Sequence, residues 1–356
     1  MMKLLSLTTA LTTFAFAASA QEVVVMSWGG AYGKSQNEAY LKPYTEKTGV
    51  KMTMVDTDNP ATPVKAMVQA NNVTVDVVDL EYADALRLCD EGLLERLDTS
   101  ILSPAPDGTA AADDFLPGAI TDCFVATIVF STMFAYDSTK FPDGPTRISD
   151  FFDLEKFPGK RGLRKVAKVN LEMALMADGV AAADVYSVLA TDAGVDRAFA
   201  KLDEIKAETV WWEAGAQPPQ LLADGEVAMT TAYNGRIFAA TVAEGMPFKS
   251  IFDGQVYEYD GFAIPKGAKN MEDAKKFLTF ATSTQALADQ AKYISYGPAR
   301  KSSGPLVGLY EDGKTEMAPY MPTSAANLTN ALASDVEFWA DHSIQLNERF
   351  NAWLLN

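Results

Sequence analysis

Aromatic side chains and carboxylates recur in this sequence at the ends of short apolar runs, and that pairing can hold a cation. Trp28 and Tyr32 follow the run Val23 to Met26, and Glu81 and Tyr82 follow the run that ends at Leu80. Trp211, Trp212 and Glu213 close another run, Tyr233 closes the next, and Tyr257 and Tyr259 alternate ahead of Asp260. Tyr296 stands in Ile294-Ser-Tyr-Gly-Pro. A ring face attracts a cation through its quadrupole, and a carboxylate adds a charge-assisted hydrogen bond. In open α/β sheets the carboxyl ends of the strands form the ligand crevice, so groups gathered there would line one site. Taken singly, each ring is better explained by core packing. Six or so at strand ends together favour a box for a small amine.

Other chemistries find less support. No Gly-x-Ser-x-Gly occurs, and one histidine, His342, with two distant cysteines gives neither a zinc pattern nor a Ser-His-Asp enzyme. Gly29-Gly30-Ala31-Tyr32-Gly33 is glycine-rich but lacks dinucleotide or P-loop spacing; an open helix N-terminus and a plain strand-to-helix turn both fit it. No metal and no cofactor are expected. With 30 Lys plus Arg against 47 Asp plus Glu, the formal charge is −17. Nucleic acids and anionic membranes are therefore poor partners, because affinity for them comes from neutralising phosphates.

The elements that must position these residues follow from hydrophobic pattern. The 356 residues allow two domains. Strands are predicted at 23–26, 50–55 and 73–80, alternating with helices at 31–47, 61–70 and 82–96. That rhythm with continuous apolar strands indicates a parallel sheet flanked by helices. Residues 122–136 are rich in β-branched and aromatic types and read as a long strand. The neighbourhood of 132–146 reads as a first crossing between lobes, and 252–258 as another. Helices are expected at 170–178, 181–190, 193–207, 216–223, 235–244, 271–281 and 284–292. Strands are expected at 209–212, 227–233 and within 247–264. A capping box at Ser334-x-x-Glu337 opens a last helix carrying Trp339, Leu346, Phe350 and Trp353 on one face.

The first twenty residues read as a signal peptide. Lys3 is the positive region, Leu4 to Ala17 is apolar, and Ala18-Ser19-Ala20 places cleavage before Gln21. Export puts the remaining two cysteines, Cys89 and Cys123, in an oxidising compartment where one pairing is possible, so a disulfide is expected.

Several motifs resemble, in order, the periplasmic solute-binding proteins of ABC importers, and among them the spermidine/putrescine-binding type. They are Met26-Ser-Trp-Gly-Gly-Ala-Tyr32, Thr48-Gly-Val-Lys, Val75-Asp-Val-Val-Asp79 and Glu91-Gly-Leu-Leu-Glu-Arg-Leu-Asp98. Further along come Asp224-Gly-Glu-Val-Ala-Met-Thr, Tyr233-Asn-Gly-Arg, Asp260-Gly-Phe-Ala-Ile-Pro265 and Ile294-Ser-Tyr-Gly-Pro-Ala-Arg. The resemblance implies an α/β fold of two lobes, each a mainly parallel sheet flanked by helices, joined by crossing strands. Lobe 1 would take residues 21–132 plus 256–298, and lobe 2 residues 133–255 plus 299–356. It implies ligand positions at Trp28, Tyr32, Glu81, Tyr82, Tyr233, Asp260 and Tyr296, to which the strand-end pattern adds Trp212 and Glu213. Asp260 would hold an ammonium. It further implies a membrane permease as partner, a monomeric state and no catalysis.

One stretch departs from the polyamine pattern. Lys160-Arg161-Gly-Leu-Arg164-Lys165-Val-Ala-Lys168 is strongly basic where such binders are usually acidic. Most of it fits a solvated loop. If Arg164 or Lys165 instead binds a carboxylate, the ligand is zwitterionic or acidic, with Glu172 and Glu213 as possible second carboxylates. The leading expectation is a receptor for a small amine such as putrescine or spermidine. The alternatives are a receptor for an amino-acid-like zwitterion or organic anion, and an exported enzyme on the same fold.

Overall fold

The computed structural model describes residues 22–355, so the expected signal peptide and its cleavage point lie outside the described residues. Ten strands form one hydrogen-bonded sheet. They are β1 (Glu22–Ser27), β2 (Lys51–Asp56), β3 (Val77–Glu81), β4 (Val125–Asp137), β5 (Arg161–Arg164), β6 (Thr209–Trp212), β7 (Met229–Tyr233), β8 (Phe248–Ala263), β9 (Gly297–Pro298) and β10 (Ala331–Ala333). The order is β2-β1-β3-β8-β4-β7-β5-β6, with β9 on β4 and β10 on β8.

The sheet has two parallel ends and an antiparallel middle. β2, β1 and β3 pair in parallel, as do β7, β5 and β6. Between them β8 runs antiparallel to β3 and β4, and β4 antiparallel to β7. The inner parallel strands β1 and β3 are mostly apolar on both faces because helices cover both: Val23, Val25, Val77, Val78 and Leu80 have no exposed surface. Two large cores result. One gathers β1, β3 and residues 262–299; the other gathers Phe134, Leu163, Leu171, Val256 and the last helix. β4 and β8 contribute to both. Their pairing is interrupted between Thr132 and Phe134, where residues 252–255 of β8 leave the ladder.

Local differences from the sequence reading have identifiable causes. The helix expected at 82–96 stops at Asp90 because Gly92 takes φ 71°, after which Leu94 bridges to Pro265. The strand expected from Val73 begins at Val77. The last helix, Val336–Leu355, is capped by Asp335 and not by Ser334: the Asp335 carboxylate accepts from the Phe338 amide (3.0 Å). Cys89 and Cys123 are bonded, joining the helix Tyr82–Asp90 to the turn before β4.

Candidate functional site

The carboxyl ends of both parallel sets open onto the same space beside the β4–β8 pair. A narrow cavity is walled by the rings of Trp28, Tyr32, Phe130, Tyr233 and Tyr296. Tyr32 meets Tyr296 edge-on at 5.3 Å, and Phe130 meets Tyr233 edge-on at 5.5 Å. An adjoining compartment shares Glu81, Phe130, Arg164 and Tyr233 with the first and adds Lys168, Trp212 and Glu258.

One wall is acidic. Asp260 is buried on β8, opposite Glu81 of β3. Behind it lies Asp79, with no exposed surface. Tyr32 Oη bridges the two carboxylates, at 3.4 Å from Asp79 and 3.3 Å from Asp260. Asp79 also accepts from Ser27 Oγ (2.8 Å) and Gln36 Nε2 (2.5 Å). Burial and the neighbouring Asp79 push the Asp260 carboxyl well above the usual range. Burial raises Asp79 too, against the hydrogen bonds it accepts.

The second acidic group is already neutralised. Glu81 pairs with Arg164 (3.3 Å) and Lys168 (3.2 Å). Burial would raise its carboxyl, but Lys168 and Arg164 outweigh burial and hold it at about 2. Lys168 also pairs with Glu258 (2.5 Å). Burial lifts Glu258 to about 7 against that cation. Glu81 thus lines the cavity while paired with two protein cations.

The third feature is a buried guanidinium. Arg236, from the helix Asn234–Phe238, is 6% exposed and lines the cavity with Asp260 and Tyr296. Its Nη2 donates to the Trp28 carbonyl (3.3 Å), and its Nε is buried without a hydrogen-bond partner among the described residues. Gly30 makes room for it: its φ is positive, and a Cβ there would collide with Arg236 Nη1, whereas a Cβ on Gly29 would meet the Asp56 side chain. The glycine-rich turn therefore serves close approach of a side chain. Trp28 Nε1, Trp212 Nε1 and Tyr233 Oη, in the same two compartments, are buried and likewise lack partners among the described residues.

Of the residues singled out from sequence, Trp28, Tyr32, Glu81, Tyr233, Asp260, Tyr296 and Arg164 line the first cavity, and Trp212 the second compartment. Four do not come together with them. Tyr82 stacks on Phe124 at 5.3 Å beside Tyr259. Lys165 and Glu213 form an exposed pair with each other (3.2 Å). Glu172 is buried in the second core, accepting from Trp339 Nε1 (2.6 Å) and Tyr186 Oη (3.1 Å). Of the remaining basic run, Arg161 is fully buried and donates to the carbonyls of Phe151, Gly159 and Phe157. Sequence reasoning missed Arg236, Asp79, Phe130, Lys168 and Glu258 as site residues. Arg236 and Asp79 stand inside motifs quoted above, and that was the available signal.

A cleft at the carboxyl ends of two sheet halves, joined by crossing strands and carrying a ring-lined polar cavity, defines a solute-binding protein. Residues 39–323 match the family described as bacterial extracellular solute-binding protein, and the chain belongs to it. It is the periplasmic substrate-binding component of an ABC importer; its fold and relatives are those of substrate-binding proteins, not enzymes. It is 47% identical to a "Gamma-aminobutyric acid-binding protein" of Pseudomonas aeruginosa, over 95% of this chain and 94% of that one. The "Spermidine/putrescine-binding periplasmic protein" of Salmonella typhimurium is 26% identical over 77% of this chain and 80% of its own. Among solved structures, the Agrobacterium tumefaciens binding protein MotA in complex with glucopine superposes with TM-score 0.85 at 31% identity, covering 94% of this chain and all of that one. A structure described as a GABA receptor gives TM-score 0.78 at 33% identity, covering 94% and 98%. The relatives thus favour the amino-acid-like alternative over the polyamine that the sequence reading put first.

Proposed function

We propose that this protein captures a small zwitterion of the ω-amino-acid class, such as γ-aminobutyric acid, and passes it to its permease. The observation that carries the reading is Arg236: a buried guanidinium without an acidic partner among the described residues, lining the same cavity as Asp260. In this reading Asp260 takes the ligand's ammonium, Arg236 takes its carboxylate, and the rings of Tyr32, Tyr296 and Phe130 pack the methylenes. The unpartnered Nε of Arg236 and Nε1 of Trp28 are donors, and donors call for an acceptor such as a carboxylate. A diamine fits less well. It needs two acidic ends, Glu81 and Glu258 are already occupied by Arg164 and Lys168, and the remaining acid of the cavity wall, Asp58, is exposed. The relatives described as binding γ-aminobutyric acid support the same reading.

Capture would proceed by closure of two lobes, with β4 and β8 as the crossing strands. The break in their ladder at Thr132/Phe134, where residues 252–255 of β8 do not pair with β4, is the place where backbone angles can change with least loss of β4–β8 pairing. A monomer suffices for this cycle. Calorimetric titration with γ-aminobutyric acid, putrescine, spermidine and butyrate tests the reading. The zwitterion should bind at least about 100-fold more tightly than putrescine or butyrate, about 2.7 kcal/mol. Tighter binding of putrescine would overturn it.

A further inference from the structure

Asp79 does not line the cavity, yet it is placed to decide what the ammonium site contains before ligand arrives. Asp79 and Asp260 are both buried, on adjacent antiparallel strands β3 and β8, and share the Tyr32 hydroxyl. The hydrogen-bond partners of the Asp79 side chain are Ser27, Gln36 and Tyr32, none of them charged. From β4, Thr127 Oγ1 donates to the Asp260 carbonyl and not to its carboxylate. The charged groups nearby are Glu81 on β3 and Glu258 on β8, held by Arg164 and Lys168, Arg236 against the Tyr296 hydroxyl, and Asp58, exposed at the wall of the cavity. Two buried carboxylates that share one hydroxyl disfavour each other's ionisation, so the empty pair keeps a proton.

We propose that Asp79 makes the ammonium site a proton-exchange site: the empty Asp79–Asp260 pair holds one shared proton, and the ligand's ammonium displaces it. In the step, the neutral carboxylic acid of Asp260 meets the ligand's ammonium, an ion pair between the Asp260 carboxylate and that ammonium forms, and one proton leaves to solvent. The O–H bond of the acid is the one covalent bond broken, its electron pair stays on the carboxylate, and no bond to carbon changes. Asp79 is a positioning residue, acting on the ligand through Asp260. The inference rests on the ammonium end of the proposed function and is independent of the carboxylate end. It also implies selection. Every carboxyl oxygen of the pair facing the ligand is an acceptor once the proton has left, so an ammonium bearing N–H is favoured over a fully methylated one.

The test is the proton count on binding, read by calorimetry at pH 6 in buffers of different ionisation enthalpy. An ω-amino acid titrates near about 4 and about 10, so it releases nothing itself. The chain's one histidine, His342, packs on Phe338 in the last helix, away from the cavity. About one proton should be released per ligand, and affinity should rise about tenfold per pH unit around pH 6. Glu258, lifted to about 7, is the competing source. Glu258→Gln should therefore keep the release, and Asp79→Asn should abolish it while ligand still binds. No release by the wild-type protein, or release lost in Glu258→Gln and kept in Asp79→Asn, overturns the proposal. The wild-type and Glu258→Gln measurements decide it even if Asp79→Asn fails to fold. If putrescine proves to be the ligand, the same count with putrescine still decides the matter, because its amines are fully protonated at pH 6.

Discussion

Arg236→Gln separates a zwitterion receptor from an amine receptor. The substitution removes the charge and the fork while keeping a side chain able to reach the Trp28 carbonyl. In the unliganded protein Arg236 gives up one neutral-acceptor hydrogen bond of 3.3 Å, worth about 1 kcal/mol, so the fold should survive and the melting temperature should change little. Binding is different. A buried guanidinium facing a ligand carboxylate is one half of a desolvated ion pair, and deleting one half typically costs about 2–5 kcal/mol. The dissociation constant for γ-aminobutyric acid should rise about 30-fold to several thousand-fold. Butylamine, which has the ammonium and lacks the carboxylate, should bind the variant as well as it binds the wild type. Titration calorimetry of both ligands against both proteins closes the cycle. If Arg236→Gln binds γ-aminobutyric acid within about threefold of wild type, a change below ~1 kcal/mol, the reasoning fails. Arg164, freed from Glu81 on binding, would then be the better candidate for the carboxylate.

Asp260→Asn should weaken an amine ligand by about 2–5 kcal/mol, and an unchanged dissociation constant would reduce Asp260 to a turn residue. Denatured, non-reduced protein should show no free thiol, and reducing the Cys89–Cys123 bond should lower stability by about 3–4 kcal/mol in denaturant titrations. Small-angle scattering should give a smaller radius of gyration with saturating ligand; an unchanged radius with binding proven would count against a hinge. Glu81 is held at about 2 in the fold, below its unfolded value, so its stabilising contribution is present above about pH 4.5 and is lost as pH falls towards 2. Acid unfolding followed by circular dichroism should therefore show a shallower slope over that window in Glu81→Gln than in wild type.

The alternation of apolar strands with helices revealed the first parallel set, β1 to β3, because strands buried on two faces are apolar along their length, whereas β5, the middle strand of the second set, lies inside the basic run that reads as a loop. The strand-end rings were legible for a related reason. Trp28, Tyr233 and Asp260 follow apolar runs, and a parallel sheet delivers the residues after such runs to one edge. The cysteine pairing followed from there being two. The direction of Tyr82 was not legible, because a residue just past a strand can turn towards the cleft or towards its own helix, and here it stacks on Phe124. Glu172 fits a cleft acid equally well in sequence; its true partners, Tyr186 and Trp339, come from segments that no local pattern connects.

What the sequence determined by itself was the fold class, the disulfide and most of the wall of the site, since each depends on local periodicity or on counting. What the tertiary structure decided was charge. Arg161, Arg164, Lys165 and Lys168 are alike in sequence, and only long-range placement makes one a carbonyl clamp, one a surface partner of Glu213 and two the neutralisers of Glu81, 83 and 87 residues away. Arg236 matters because no acid among the described residues meets it, and a missing partner leaves no trace in a linear pattern. Whether a buried charge is free for a ligand depends on the sum of all its neighbours in a low-dielectric space, and that sum exists once the chain has folded.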